Sequence, residues 1–338
     1  MNDYKLSIII PTFNAENYLL DAIESVKNQT IGFENIELIL VDDNSTDNTK
    51  SILEELSSNY RNVKSIFLEE NSGSPSRPRN IGIESASSEY IMFLDNDDTY
   101  QETFCEKMYS TIVSYNAEIV TCRNYDIYGG KISKYHSILD NKDNLIILNS
   151  IEDDESLLST TSMLIWNKIY KKSLFLENNI HFPTGTLYED VYFNLQAYSN
   201  ANKIIFLNDF YGYNYHIRTE GEDKSTSQDF KKENLIKFSN GLNNIFIYLE
   251  ENEKIFRNFE SEMLIGFTKW LLLTDCSCDN KLNLFGKFKK YYKRYDIFVR
   301  LYHIPLIQNI LINLGIKFIS LNDFSFKIIC KLFSSLHK

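Results

Sequence analysis

Tyr90-Ile91-Met92-Phe93-Leu94-Asp95-Asn96-Asp97-Asp98 is an apolar run that ends abruptly in a polar, acidic turn. A short unbroken apolar run closed by turn formers reads as a strand buried on both faces, as in parallel sheets. Upstream the same unit repeats. Leu6–Ile10 is closed by Pro11, Ile36–Val41 runs into Asp42-Asp43-Asn44-Ser45-Thr46-Asp47, and Val63–Leu68 precedes the loop Asn71–Pro78. The stretches between them have helical period: Tyr18, Leu19, Ala22, Ile23 and Val26 share one face, and Ile52, Leu53 and Leu56 share another. A third, short helix ends near Ala86. The order β-α-β-α-β-α-β predicts an α/β fold, an open, mostly parallel sheet flanked by helices.

Ligands of such sheets collect beyond the carboxyl ends of the strands. Pro11-Thr12, Asp42-Asp43, Asn71-Ser72-Gly73 and Asp95–Asp98 follow four successive strands, so they are expected along one edge. From about 126 to 215 the pattern is mixed, with a turn at Gly129-Gly130, the acidic stretch Glu152–Glu155 and the segment Trp166-Asn167-Lys168. From about 230 it is helical and aromatic. The expected organisation is a catalytic domain over 1–220, in two parts at 1–125 and 126–220, followed by a helical region over 221–338 that is basic from 281. No linker marks the boundary.

Composition bounds the partners. The chain has 338 residues, enough for a large core, and a net charge of -11, which argues against tracking along nucleic-acid phosphates. The charge is uneven: residues 281–338 hold eleven Lys+Arg and two Asp+Glu, or +9, which leaves -20 on the rest. Aromatic residues make up 14%, read either as core packing or as stacking surface for sugars and bases. The five Cys show no zinc spacing or disulfide framework, and reduced thiols fit them best. A strand beginning at Lys5, with no leader pattern ahead of it, and no apolar run near the ~20 residues of a membrane span predict a cytoplasmic protein.

Several groups carry candidate chemistry. Asp95 and Asp97 form a D-x-D pair that can chelate a hard divalent ion, although loop acids are often merely solvated. Asp43 is placed to accept a hydrogen bond from a nucleobase imide, while Asp47 or Ser45 caps the next helix. Arg77 and Arg79 supply fixed positive charge beside an acidic edge, either for a diphosphate or to neutralise nearby Asp. Glu189-Asp190 opens a helix running through Phe193 and Leu195, where the dipole is expected to keep Asp190 ionised. The five His (136, 181, 216, 303 and 337) show no metal spacing, and His216, which could touch phosphate, reads rather as a surface or packing residue.

The runs S-I-I-I-P-T-F-N (7–14), V-D-D-N-S-T-D-N-T (41–49), N-S-G (71–73) with R-N-I-G-I-E (79–84), Y-I-M-F-L-D-N-D-D (90–98), W-N-K-I-Y (166–170) and Y-E-D (188–190) resemble, in order and spacing, the family 2 glycosyltransferases. The segment N-S-G-S-P-S-R-P-R-N (71–80) is similar to that of bacterial teichoic-acid and capsule sugar transferases. The resemblance covers Ser7 to about Tyr215. It implies a GT-A fold and inverting, metal-dependent transfer of a hexose or N-acetylhexosamine from a UDP-sugar to a hydroxyl of a surface glycan or lipid-linked saccharide. By motif, Pro11, Thr12, Asp43, Asn71 and Arg79 would hold the uridine and diphosphate. Asp95 would contact the ribose and the metal shell, and Asp97 would ligate Mn²⁺ or Mg²⁺. Asp190 would be the catalytic base, with Glu189, Trp166 and Asn167 on the acceptor side. Ile217-Arg218 and Ser225-Thr226 resemble a segment that closes over the diphosphate, interrupted here by the acidic insertion Glu220–Asp223.

Two other readings stand beside this one. A sugar-phosphate nucleotidyltransferase uses a similar sheet and metal but carries a Gly-rich phosphate loop where this chain has Pro-Thr-Phe-Asn. A non-catalytic nucleotide-sugar-binding or membrane-adaptor protein would need neither base nor metal pair. In the tail, Lys287, Lys289, Lys290, Lys293 and Arg294 alternate with Phe288, Tyr291, Tyr292 and Tyr295, and Gln308, Asn309, Asn313, Lys317 and Ser320 recur at helical spacing. These amphipathic helices are expected either to pack on protein, including a second copy, or to lie on an anionic membrane face.

Overall fold

The computed structural model describes residues 4–134, 143–155, 158, 163–218, 230–294 and 325–329. The chain forms two compact units: Met1–Asp154, Thr161–Gly185 and Glu189–Arg218 make one, and Glu155–Thr160, Thr186–Tyr188 and Thr219–Lys338 the other.

Among the described residues the first unit is built on a ten-stranded sheet. Strands β1 (Leu6–Thr12), β2 (Ile36–Asp42), β3 (Val63–Phe67) and β4 (Tyr90–Phe93) pair in parallel in the order β3-β2-β1-β4. Every residue of β1 and β2 is buried, because helices cover both faces of a parallel sheet. Helix α1 (Leu19–Lys27) buries Leu19, Ala22, Ile23 and Val26, the stripe expected from its spacing. Helix α2 (Thr49–Asn59) starts where the Asp47 carboxylate accepts from the backbone N–H of Thr49 and of Glu16, at 3.0 and 3.1 Å. That carboxylate staples the start of α2 to the loop after β1. Helix α3 (Ser76–Ser85) lies close on β1: a β-carbon at Gly82 would stand 2.4 Å from Ile9 Cγ2.

Beyond β4 the sheet changes direction. Short β5 (Thr99–Tyr100) and helix α4 (Phe104–Tyr115) lead into β6 (Ile119–Tyr128), β7 (Lys131–Lys134) and β8 (Leu145–Leu148). Strand β9 (Lys168–Lys171) inserts antiparallel between β4 and β6, and β10 (Ile204–Ile217) runs parallel to β6. Gly129 and Gly130, at φ +51° and +80°, make the tight turn from β6 to β7 that their sequence predicts. The mixed pattern after residue 125 thus reflects antiparallel strands added to a parallel core. Helix α5 (Lys172–Glu177) and the strongly buried α6 (Glu189–Asn200) pack beside it. Many of the aromatic residues are core: Phe182 stacks flat on Phe193, with centroids 3.9 Å apart, and both meet Phe93 edge-on.

The second unit is helical, with α7 (Lys232–Glu251), α8 (Arg257–Leu273) and α9 (Cys278–Arg294). On α9 the aromatic face is consumed by packing. Tyr291 stacks on Phe246 at 4.0 Å, Phe288 meets Phe267 at 4.8 Å, and the Tyr292 hydroxyl is 2.7 Å from Thr268 Oγ1. Over 281–294 the aromatics are those of a helix packed on protein, one of the two alternatives expected of it. Of the cations there, Lys290 and Arg294 pair with Glu250. The remainder of the tail's pattern, Tyr295 and the residues from 308 to 320, lies outside the described residues. Among the described residues no helix is long and apolar enough to cross a membrane.

Candidate active site

The ends of β1 and β2 are knitted together by polar groups. The Asp43 N–H donates to the Thr12 carbonyl at 2.8 Å, and Thr12 Oγ1 donates to Asp42 Oδ1 at 3.2 Å. Asp42 also accepts from the N–H and hydroxyl of Ser45, while the Asn96 amide donates to the Pro11 carbonyl at 3.0 Å. The Asp43 carboxylate receives the N–H and hydroxyl of Ser72, each at 3.0 Å, and the Asn71 amide donates to the Asp43 carbonyl at 3.0 Å. Gly73, at φ +74°, lets its N–H turn back to Asn71 Oδ1. Pro11, Thr12, Asp43 and Asn71 therefore meet as the sequence placed them, but Asp43 also organises the loop after β3.

In the turn after β4, three carboxylates have three surroundings. Asp98 is 1% exposed and accepts from the His216 N–H and the Tyr213 hydroxyl, each at 2.7 Å; burial holds its carboxyl well above the usual range. His216 Nε2 lies 3.1 Å from Thr99 Oγ1, a packing role. Asp97 pairs with Arg218, and burial followed by the nearby Asp95 charge raises its carboxyl while Arg218 draws it back. Asp95 accepts from Arg79 Nη2 at 2.8 Å.

Arg79 is the hub. From buried α3 its Nη1 reaches Asp190 Oδ1 at 2.7 Å and Glu189 Oε1 at 3.4 Å, while its guanidinium rests over the Phe182 ring at 5.4 Å. Its Nε is buried and, among the described residues, finds no acceptor. One guanidinium thus faces three carboxylates, an arrangement that cannot hold all of them ionised cheaply away from water. Burial accordingly raises Glu189, and it pushes Asp190 up to about 7 against the pull of Arg79. The expectation that the helix dipole keeps Asp190 ionised is corrected. Asp190 does sit in the first turn of α6, but burial beside Glu189 and Asp95 outweighs a terminus effect worth about 1 kcal/mol. Arg79 is thus paired with carboxylates, the neutralising one of the two roles expected of it. Exposed Arg77 pairs with Glu70 at 3.4 Å.

Trp166 and Asn167, expected to line the acceptor side, lie beneath the surface. Trp166 stacks on Tyr213 at 4.1 Å and 13°, and the Asn167 amide donates to the Cys122 carbonyl at 2.5 Å. Neighbouring Lys168 is fully buried, donates to Asn167 Oδ1 at 2.7 Å and is brought down to about 7 by desolvation. Of the three, Lys168 lies near enough to Asp190 for their charges to interact. Ser225-Thr226 and the insertion Glu220–Asp223 lie outside the described residues.

Among the described residues no three metal-binding side chains converge. Asp95 and Asp97, with side chains 28% and 19% exposed, are nevertheless the donor set that Mg²⁺ accepts when substrate phosphates and water complete its shell. The residues present fit such an ion.

The family model described as glycosyl transferase family 2 matches residues 7–188. The chain belongs to glycosyl transferase family 2. It is 32% identical over 222 residues to the glycosyltransferase GlyA of Streptococcus pneumoniae, a match that covers 64% of this chain and 31% of that protein. It is 34% identical over 224 residues to the poly(ribitol-phosphate) beta-glucosyltransferase of Bacillus spizizenii, covering 66% and 34% respectively. The chain therefore spans about a third of the length of these two family 2 relatives. Staphylococcus aureus TarS 1–349, solved in complex with UDP-GlcNAc, shares the fold with TM-score 0.57 and 21% identity over 95% of this chain and 82% of that one. Membership of family 2 sets the nucleotidyltransferase reading aside.

Proposed function

We propose that this family 2 glycosyltransferase moves a hexose or N-acetylhexosamine from a UDP-sugar to a hydroxyl of a bacterial surface glycan, with inversion at the anomeric carbon. One observation carries the reading: a single guanidinium, Arg79, joins Asp95 of the D-x-D pair to Asp190, so the metal-binding turn and the base share one cluster. The names of the relatives, which act on poly(ribitol phosphate) or bind UDP-GlcNAc, support the donor and acceptor classes.

In this mechanism Thr12, Asp43 and the Asn71–Gly73 loop bind the nucleoside end of the donor. Asp190 Oδ1 is held by Arg79, leaving Oδ2 to take the proton of the acceptor hydroxyl as that oxygen bonds to the anomeric carbon. The bond from that carbon to the phosphate oxygen breaks, and its electron pair leaves on UDP. Asp97 and Asp95 would hold a divalent ion, which would supply positive charge where the departing phosphate gains negative charge. Arg218, now on Asp97, stands where it can turn to the diphosphate.

The test is calorimetric titration of the full chain with UDP, with and without Mn²⁺, followed by UDP-release assays with UDP-glucose and UDP-N-acetylglucosamine on poly(ribitol phosphate). Metal-dependent UDP binding that disappears in Asp97→Ala supports the reading. A folded protein that binds no nucleotide overturns it.

A further inference from the structure

We propose that Asn194 and Tyr170 form a polar clamp that positions the base, with Asn194 tying helix α6 to the middle of the sheet one turn along from Asp190. The inference rests on the reading of Asp190 as the base, and it gives the Tyr of the W-N-K-I-Y run a task.

Asn194 lies four residues after Asp190, so the two share a face of α6. It is fully buried, and its side chain bridges two elements. Nδ2 donates to the Met163 carbonyl at 2.8 Å, and Oδ1 accepts from the Tyr170 hydroxyl at 2.6 Å. A carbonyl can only accept, so Met163 fixes which end of the amide faces Tyr170, and the hydroxyl must be the donor. Burial, with Tyr198 and Asp190 close by, holds that hydroxyl well above the ordinary phenol range, so it keeps its proton. Tyr170 is a rigid anchor. It lies on the interior strand β9, opposite Ile91 of β4 on one side and Ile119 of β6 on the other. Its buried ring meets Phe93 and Phe193 edge-on, each at 6.0 Å, and leans on Phe175 at 5.2 Å.

The stack of Phe193 on Phe182 adds burial to α6 but little direction, because apolar contact tolerates sliding. Two hydrogen bonds from one amide, to a hydroxyl and to a carbonyl, resist both rotation and slippage of the helix. Buried polar groups satisfied in this way stiffen the elements that carry them. At the start of the helix Arg79 holds Asp190 Oδ1 at 2.7 Å. Polar fixings one turn apart thus set where Oδ2, the oxygen that must meet an acceptor hydroxyl, stands. Neither bond of the clamp involves the Asp43 cradle, so breaking it is expected to slow transfer without weakening nucleotide binding.

The experiment compares Tyr170→Phe, Asn194→Ala, the two combined, Leu195→Val and Asp190→Asn in the full chain, using the UDP-sugar that supports transfer. Titration with UDP serves as the check on folding. Tyr170→Phe keeps the ring and loses only the hydroxyl. It is expected to lower kcat on the order of ten- to a hundredfold, with UDP affinity and donor KM within about twofold of the wild type. Asn194→Ala should fall the same way, and the double variant no further than the lower single, because both remove one bond. Leu195→Val thins the buried side of the same helix without touching the clamp, and should lower the melting temperature while kcat stays. Hydrogen exchange across α6 should quicken in Tyr170→Phe, a readout independent of activity. Wild-type kcat and exchange in Tyr170→Phe, with Asp190→Asn inactive, overturn the clamp, and that variant decides alone if Asn194→Ala does not fold. So do losses that multiply in the double variant, or a fall in kcat for Leu195→Val that matches Tyr170→Phe. An active Asp190→Asn overturns instead the assignment of the base.

Discussion

The Asp43 cradle and the Arg79 cluster both bring acidic residues out of view of water, but they satisfy them by opposite means. Around Asp43 the donors are neutral: two groups of Ser72 on the carboxylate, and the Asn71 amide on the carbonyl. Around Arg79 the donor is a full charge shared by Asp95, Glu189 and Asp190. Neutral donors shape a loop and let it receive a ligand without a change of charge. A shared guanidinium makes each carboxylate answer to the others, so proton or metal arriving at one is felt by all. The first arrangement suits recognition and the second suits chemistry.

The contrast breaks most sharply at Asp190. Asp190→Asn is expected to lower kcat by about 10²–10⁴ while UDP titrations stay unchanged, which steady-state kinetics and calorimetry would separate. Next, Arg79→Met strands buried carboxylates and should cost about 3–5 kcal/mol, read as a fall in the urea midpoint. Arg79→Lys should recover little, because a point charge cannot span Asp95 and Asp190. Asp43→Ala, which removes neutral bonds only, should weaken UDP binding by about 1–3 kcal/mol with kcat retained at saturating donor. Arg77→Ala, at an exposed pair, should shift stability by less than ~1 kcal/mol, and a melting curve checks it.

The pH dependence sharpens the same contrast. The proposed base, Asp190, would act only when ionised, and burial pushes its carboxyl up to about 7, so kcat should rise with pH through that region and level off above it. For stability the sign is opposite. A carboxyl raised above its unfolded value favours folding fully at pH below the unfolded carboxylate range, and that contribution is lost as pH climbs through about 7. The melting temperature of the nucleotide-free protein should therefore fall between pH 5 and 8, and less so in Asp190→Asn.

The parallel half of the sheet was legible because each strand there is one unbroken apolar run followed by its own turn residues. The strand ends that follow from it, Thr12, Asp43, Asn71 and Asp95–Asp98, were legible for the same reason. What periodicity does not carry is the choice of partner at long range. Arg218 on Asp97 and Tyr213 on Asp98 are each joined across more than a hundred residues of chain. The turn of β9 against its neighbours, which buries Trp166 and Asn167, is a tertiary choice too. The proton affinity of Asp190 was misjudged because a helix start is visible in sequence, whereas two other acids packed against it are not.

The antiparallel insertion of β9 has a further consequence during synthesis. Strand β4 borders β1 on one side and β9 on the other, and β9 is encoded only at residues 168–171. A nascent chain can pair β1 to β4 as soon as they emerge from the ribosome, yet the far edge of β4 stays open until some 78 residues more are translated, roughly 4–16 s at bacterial rates. For that interval Ile91, Met92 and Phe93 present an unpaired apolar edge, a natural point for a chaperone to intervene or for two newborn chains to join.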